Sequence, residues 1–306
     1  SLIQLMANIE NEHRELLDEL DHQLTLLKQL RQAILQEAVE GKLTADWRKK
    51  HPVKKGDPEY DAEALLEKIA AEKRALTENT KGTKKEKTLP PVRDEEKPFE
   101  LPEGWEWAFI PQVVTNDKYA IKRGPFGSSI RKDFFVPAGY KVYEQKNAIN
   151  DNFSLGKYYI DEKKFTELEA FKVVPNDIII SCSGTVGKVA IAPDWMEIGV
   201  INQALLKLTL NENALANNYF KILFPAYYMK THKLSDLQGT AQKNMVSVDT
   251  LKKEPFPLPP LAEQHRIVAK VDQLMALCAE LERRLTQSAD SSQQLTEAVI
   301  HYLTAA

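Results

Sequence analysis

Cysteine is nearly absent from this sequence, because Cys182 and Cys278 are the only two among 306 residues. Neither has a second cysteine or a histidine at the spacing of metal ligands, which excludes the common zinc motifs. We therefore predict that both are small, buried side chains. Long apolar runs are missing as well: no stretch of about 18 uncharged apolar residues occurs, and the N-terminus lacks the basic and then apolar pattern of a signal peptide. We expect a cytoplasmic protein without a membrane segment.

Catalytic motifs are also missing. Adenine methylation needs a polar-Pro-Pro-aromatic motif, but neither Pro90-Pro91 nor Pro259-Pro260 is followed by an aromatic residue. The segment 181–188 superficially resembles a phosphate-binding loop, yet Cys182 stands where that pattern needs glycine and Val189 where it needs serine or threonine. No Gly-x-Ser-x-Gly or His-Glu-x-x-His sequence occurs. We expect no catalytic residue, no metal ligand and no cofactor on this chain.

The charge is nearly balanced, at −3 overall. Residues 1–52 carry 7 Lys+Arg against 9 Asp+Glu, and residues 261–306 carry 4 against 6, so both ends are acidic. Residues 101–260 carry 19 against 17 and are the only net-positive part of the chain. This balance argues against bulk attraction to nucleic acid and favours, weakly, a local contact in the middle of the chain.

Two long helices are predicted at the ends of the chain. The first runs from about Ile3 to about Leu43, with Gly41 as a plausible stop, and the second follows Pro260. In both, apolar residues recur at alternating spacings of three and four, which is typical of a coiled-coil seam. Its members are Leu16, Leu20, Leu27, Leu30 and Ile34, then Ile267, Val271, Leu274, Leu281, Leu285, Leu295 and Val299.

A lone helix cannot bury such a stripe, so we predict antiparallel pairing of the two within the chain. Pairing between two chains and membership of a larger bundle are the alternatives. Between the helices, a polar segment after Asn79 predicts a linker. The rest of the middle alternates short β-branched or aromatic runs with turn residues. The predicted fold is α+β: a long helix in 1–46, a short helix and polar linker in 47–100, a mainly β domain with a few helices in 101–260, and a second long helix in 261–306.

Several stretches of the sequence resemble one known family, in the family's own order. They are Leu30–Thr44 with Trp47-Arg48, residues 64–76, Pro98–Trp107, Gly239–Asn244, and Pro259–Val268, which begins Pro-Pro-Leu-Ala-Glu-Gln. Together they resemble the DNA specificity subunit of type I restriction-modification systems. The resemblance implies that the chain selects a DNA sequence and that catalysis resides in partner subunits.

In that family a whole subunit alternates two target recognition domains with two conserved helical regions. Each recognition domain reads one half of a split DNA site, and the helical regions set the spacing and dock methyltransferase subunits. This chain is similar to about half of such a subunit, with residues 101–260 as its one recognition domain. It starts at Ser1 without methionine, and no Pro-Pro-Leu-Ala-Glu-Gln opening precedes the first helix. We expect a fragment of a longer subunit; a natural half-length subunit that dimerises is the alternative.

The resemblance also implies partners. They are double-stranded DNA, methyltransferase subunits, restriction subunits through the complex, and a second copy of the chain or the other half of the subunit. S-adenosylmethionine, ATP and Mg²⁺ are expected on the partner subunits. The alternative from a different class is a structural coiled-coil adaptor whose globular domain binds another protein.

Candidate DNA-binding residues fall in four stretches of the central domain. The loop 122–132 places four cations around a glycine- and serine-containing turn that lets the backbone approach a phosphate. The stretch 143–147 offers amide side chains of the type that pair with adenine. For the glycine turn 183–188 and the stretch 242–244 there are two interpretations: a contact with DNA, or packing within the protein. The candidates are Lys122, Arg123, Ser128, Ser129, Arg131 and Lys132; Tyr143, Gln145 and Asn147; Ser183, Thr185 and Lys188; and Gln242, Lys243 and Asn244.

Overall fold

The computed structural model describes residues 2–78, 92–93, 97–228 and 244–305. The chain divides into two compact units, one formed by residues 1–37 with 269–306 and the other by residues 38–268. Most of the predicted linker after Asn79, and the candidates Gln242 and Lys243, lie outside the described residues. The domain boundaries that we predicted at residues 46, 100 and 260 remain predictions from the sequence.

The first unit consists of most of the length of two long helices. Helix α1 spans Leu2–Val39, and the C-terminal helix spans Leu261–Ala305. They run antiparallel, which confirms the predicted pairing, and the Arg31 guanidinium lies 2.6 Å from the Glu282 carboxylate between them. Helix α1 ends before the predicted Leu43 because Gly41 adopts a left-handed backbone conformation, with φ +71°. A Cβ at Gly41 would lie 2.6 Å from Pro102 Cγ, so glycine is required there.

The seam between these helices follows the prediction in part. Its buried or half-buried members are Leu20, Leu27 and Ile34 on the first helix and Ile267, Val271, Leu274, Leu285 and Val299 on the second. Four predicted members are exposed, and their assignment to the seam is wrong: Leu16, Leu30, Leu281 and Leu295. Arg31 and Glu282, one residue after Leu30 and Leu281, pair across the helices instead. An ideal helix drifts by about 20° per heptad against a strict seven-residue repeat, which moves neighbouring residues into the contact.

The described residues of the second unit form three sheets. In the first, β1 (Glu106–Phe109) pairs antiparallel with β10 (Pro255–Leu258). The second is antiparallel and has the order β2 (Ile121–Arg123), β9 (Leu205–Leu208), β6 (Ile178–Ser181), β7 (Val189–Ile191). The third has the order β4 (Tyr159–Ile160), β3 (Tyr140–Tyr143), β8 (Gly199–Ile201), β5 (Lys172–Val173), in which β3 and β8 are parallel.

Shorter helices connect these strands. They are α2 (Ala45–Lys50), α3 (Ala62–Glu78), α4 (Ile110–Val113), α5 (Gln145–Ile149), α6 (Glu162–Glu167), α7 (Asn217–Leu223) and α8 (Val248–Leu251), so that the C-terminal helix is α9. Single 3₁₀ turns span Gly127–Ser129, Lys132–Phe134 and Glu169–Phe171, and a π-helical turn spans Phe224–Tyr228. The predicted α+β class is confirmed. No helix in the described ranges has the length and apolarity needed to cross a membrane.

Strand β6 is the centre of the antiparallel sheet. Its isoleucines, residues 178–180, are fully buried, as expected for a β-branched run that is covered on both faces. Asp177 precedes the strand and is fully buried beside Lys207, at 3.8 Å, and the hydroxyl of Thr209. Burial raises the pKa of the Asp177 carboxyl, whereas the ammonium and the hydroxyl lower it. These contacts fix one end of β6, and the other end leads into the turn 183–188.

The start of α9 is held by two buried polar side chains. Glu263 accepts hydrogen bonds from Thr44 Oγ1 at 2.6 Å, from the Arg48 guanidinium, and from Trp105 Nε1 at 2.7 Å. Gln264 accepts a hydrogen bond from the backbone N–H of residue 216 and donates to the carbonyls of residues 214 and 259. Three of the sequence stretches that carry the family resemblance therefore meet at Glu263. Their residue types are explained by packing within the second unit.

Candidate nucleic-acid interface

The loop after β2 is anchored to the turn before β9. Arg123 donates through Nε to the carbonyl of Gln203 at 3.4 Å and through Nη2 to the carbonyl of Cys182 at 3.5 Å. The Gly124 N–H donates to the Leu205 carbonyl at 2.8 Å. A Cβ at Gly124 would lie 1.8 Å from a backbone carbonyl oxygen of the neighbouring turn, so only glycine permits this approach. The base of the loop is therefore fixed to the sheet.

The tip of this loop presents polar and apolar side chains together. Ser128 is exposed and Ser129 is half-buried in the 3₁₀ turn 127–129, where the Ser129 N–H donates to the Phe126 carbonyl at 2.8 Å. Arg131 and Lys132 are exposed, and the Arg131 guanidinium stacks 5.3 Å from the centre of the Phe134 ring. Residues 122–132 carry four cations and no carboxylate. Hydroxyls and cations of this kind suit phosphate oxygens.

The turn 183–188 joins β6 to β7 as a hairpin, one of the two interpretations of this segment. Ser183 Oγ donates to Asn244 Oδ1 at 2.9 Å, and the Met245 N–H donates to the Cys182 carbonyl at 3.0 Å. Thr185 and Lys188 are exposed on the turn. Because Arg123 also reaches the Cys182 carbonyl, the structure brings Arg123, Ser183 and Asn244 together at one edge of the sheet.

Cys182 lies beneath this cluster and is fully buried. Burial raises the pKa of its thiol to about 12, so the side chain stays protonated at neutral pH. Cys278 is buried as well, and the prediction of two buried cysteines is confirmed. In the described part of the chain, no three His, Cys, Asp or Glu side chains are grouped so that they could hold a metal ion.

A family model for the type I restriction modification DNA specificity domain matches residues 118–290, which is more than half of the chain. This chain belongs to the type I restriction-modification DNA specificity family. The matched residues include the loop 122–132, the turn 183–188 and Asn244. The edge cluster is therefore part of the specificity domain.

Relatives of this specificity domain cover nearly all of the chain. The type I restriction enzyme EcoAI specificity subunit of Escherichia coli is 30% identical over 293 residues, and the EcoEI specificity subunit of the same species is 31% identical over 291 residues. Each comparison covers 91% of this chain and 44% of the relative, so the chain spans less than half the length of these curated relatives.

A solved structure shares the fold of the chain. It comes from work on complex assembly and conformational transition of the type I R-M system, with a TM-score of 0.52 and 20% sequence identity. The comparison covers 95% of this chain and 58% of that chain.

Lys122 does not join the edge cluster of the specificity domain. Successive residues of a strand project to opposite faces, so Lys122 and Arg123 point apart. The Lys122 ammonium lies 5.5 Å from the centre of the Tyr119 ring and 5.1 Å from that of Phe171. The side chain is half-buried and forms cation–π contacts on the far face of the sheet.

The structure contradicts part of the prediction that the stretch 143–147 contacts DNA. Tyr143 is buried, and its hydroxyl donates to the Glu197 carbonyl. Asn147 is also buried, and its amide closes a local turn by accepting from the Glu144 N–H and donating to the carbonyls of residues 152 and 155, each at 2.9 Å. The prediction that Tyr143 and Asn147 bind DNA is wrong, because both side chains are buried and their polar atoms form hydrogen bonds inside the domain. Gln145 is half-buried and stays a prediction.

The sequence interpretation missed two exposed residues near the edge cluster, Phe126 at the tip of the loop 122–132 and Gln203, whose carbonyl accepts from Arg123. Both are exposed, and the Gln203 amide nitrogen lies 3.9 Å from where a Cβ on Gly127 would be. A signal for Phe126 was available, since an aromatic residue between Gly124-Pro125 and Gly127 has no core to join. No sequence signal marks Gln203, because only the pairing of β2 with β9 brings it to this edge.

Proposed function

We propose that this chain is a non-catalytic DNA sequence-recognition unit of a type I restriction-modification complex, and that its central domain reads one half of a bipartite site. The observation that supports this most is the meeting of Arg123, Ser183 and Asn244 at one sheet edge, in a chain of the DNA specificity family. The exposed cations of the loop and turn position the phosphate backbone, and Gln203 and Asn244 offer amides for base edges.

The long helices dock methyltransferase subunits in this proposal. Leu16, Leu30, Leu281 and Leu295 leave apolar surface on the two-helix unit without cover inside it. Surfaces of this kind mark protein contacts. Restriction subunits join through the complex, and S-adenosylmethionine, ATP and Mg²⁺ bind to the partner subunits. The complex acts in the cytoplasm, where it meets DNA.

Titration of the chain with a fluorescent random-sequence duplex at several salt concentrations tests DNA binding. We expect the logarithm of the binding constant to fall linearly with the logarithm of the salt concentration, by a slope of about 0.9 per phosphate contacted. The double variant Arg131→Ala, Lys132→Ala should weaken binding to all sequences and reduce that slope by about one unit per removed phosphate contact.

The matched control is the double variant Lys49→Ala, Lys50→Ala, which removes an adjacent exposed cation pair from α2. Its salt slope should equal that of the wild type. A wild-type slope near zero contradicts DNA reading and favours the coiled-coil adaptor. Equal slopes for the wild type and the loop variant would remove Arg131 and Lys132 from the interface.

A further inference from the structure

Phe126 is the most exposed large apolar side chain in the described part of the chain, at 89%. It lies at the tip of the loop 122–132, where Arg123 holds the base of the loop and Arg131 and Lys132 are exposed. A phenyl ring in this position gives the free protein no packing. Its location within the candidate interface makes a contact with DNA the natural use for its surface.

The backbone on both sides of Phe126 is held in place. Pro125 before it is buried, and the Gly124 N–H donates to the sheet at 2.8 Å. After it, the Ser129 N–H closes the 3₁₀ turn on the Phe126 carbonyl at 2.8 Å. The ring therefore projects from a fixed turn, so its insertion into a partner would lose little backbone entropy.

The exposed residues near Phe126 in the loop and in the turn before β9 are polar. Arg123 lies at the base of the loop, Ser128 is exposed two residues after Phe126, and the Gln203 amide nitrogen lies 3.9 Å from where a Cβ on Gly127 would be. Donors of this kind bind phosphate oxygens and base edges, whereas an apolar ring between them matches the faces of the bases. Proteins that bend DNA use an apolar wedge among polar contacts in this way.

We propose that Phe126 inserts between two adjacent base pairs of the bound duplex, unstacks that base step and bends the DNA there. This inference rests on the proposed function, because the wedge needs a duplex held by the surrounding cations and hydroxyls. The base step that Phe126 enters then contributes to sequence specificity, because pyrimidine–purine steps unstack more easily than other steps.

The test uses the full 306-residue chain. A duplex is first selected from a random-sequence pool by its binding to this chain, and 2-aminopurine is then placed at successive positions of it. We expect the wild type to raise 2-aminopurine fluorescence at one base step and to bring dyes at the duplex ends closer, by a bend of about 20–90°. Phe126→Ala should abolish the fluorescence rise and the bend and weaken binding by about 5- to 100-fold. Phe126→Leu should retain part of both.

The control is Trp195→Ala, which removes another exposed aromatic ring, from the segment between β7 and β8. It should leave the fluorescence rise and the bend unchanged. The wedge proposal is wrong if the wild type binds the selected duplex without raising 2-aminopurine fluorescence at any step, or if Phe126→Ala retains the fluorescence rise. The proposed DNA-reading function stands in either case. If the chain enriches no duplex at all, the proposed function fails and the wedge fails with it.

Discussion

At the scale of single residues, the buried ammonium of Lys141 depends on one carboxylate. The Lys141 side chain is 3% exposed, and its Nζ lies 2.7 Å from Glu197 Oε1 and 3.3 Å from the Ser154 carbonyl. The hydrogen bond from Lys141 lowers the pKa of the half-exposed Glu197 below its ordinary value of 4.5. A buried cation that loses its counter-ion leaves a desolvated charge behind, so Glu197 stabilises β3 and its neighbours.

We predict that Glu197→Gln lowers the free energy of unfolding at pH 7 by about 1–2 kcal/mol, a modest value because Glu197 is half-exposed. The folded-state pKa of Glu197 is depressed, so the contribution is fully present above the unfolded-state value of 4.5 and is lost as the pH falls through the folded-state value. The difference between wild type and variant should therefore shrink in acid. Urea unfolding at pH 7 and at lower pH measures it.

The control for this variant is Glu212→Gln, which changes an exposed glutamate before α7. Its unfolding free energy should stay within about 0.5 kcal/mol of the wild type at each pH. A Glu197→Gln difference that is constant with pH would contradict the proposed role of the Glu197 charge.

Asn147 and Glu263 show why residue roles are harder to predict than residue types. An exposed asparagine in a DNA-binding domain has the chemistry to read adenine, but Asn147 is buried and closes a turn. Glu263 lies in the Pro-Pro-Leu-Ala-Glu-Gln stretch, and nothing in the local pattern shows that it accepts hydrogen bonds from residues 44, 48 and 105. Both roles depend on contacts between segments that are far apart in sequence.

At the scale of elements, the apolar periodicity predicted both long helices and their pairing. It did not predict which residues face the partner helix near the middle of each helix. Leu30 and Leu281 satisfy a strict alternation of spacings, yet Arg31 and Glu282 make the contact between the helices. The α+β class of the central domain followed from short β-branched runs bounded by turn residues. The order of strands did not, because the parallel pair β3 and β8 joins residues almost sixty positions apart.

Adjacent leucines in α1 provide a matched test of this register. Leu27 is 7% exposed and Leu26 is 48% exposed. We predict that Leu27→Asp lowers the free energy of unfolding by about 2–5 kcal/mol, because it places a carboxylate in an apolar contact. Leu26→Asp should cost less than about 1 kcal/mol. Urea unfolding monitored by helical circular dichroism measures both, and equal losses would contradict the observed seam.

At the scale of the whole molecule, the described sheets all lie in the second unit, and the chain spans 44% of the length of its curated relatives. We predict that selection from a random-sequence duplex pool returns a single unbroken block of specified base pairs, because the proposed function gives this chain one central domain that reads one half of a split site. Sequencing of the enriched pool gives the number of specified blocks. Light scattering gives the mass of the complex, and therefore the number of bound chains. Two specified blocks at a fixed spacing from one bound chain would contradict the prediction. Two blocks from two bound chains would instead assign one block to each copy, and Leu27→Asp should then leave the sequence of each block unchanged.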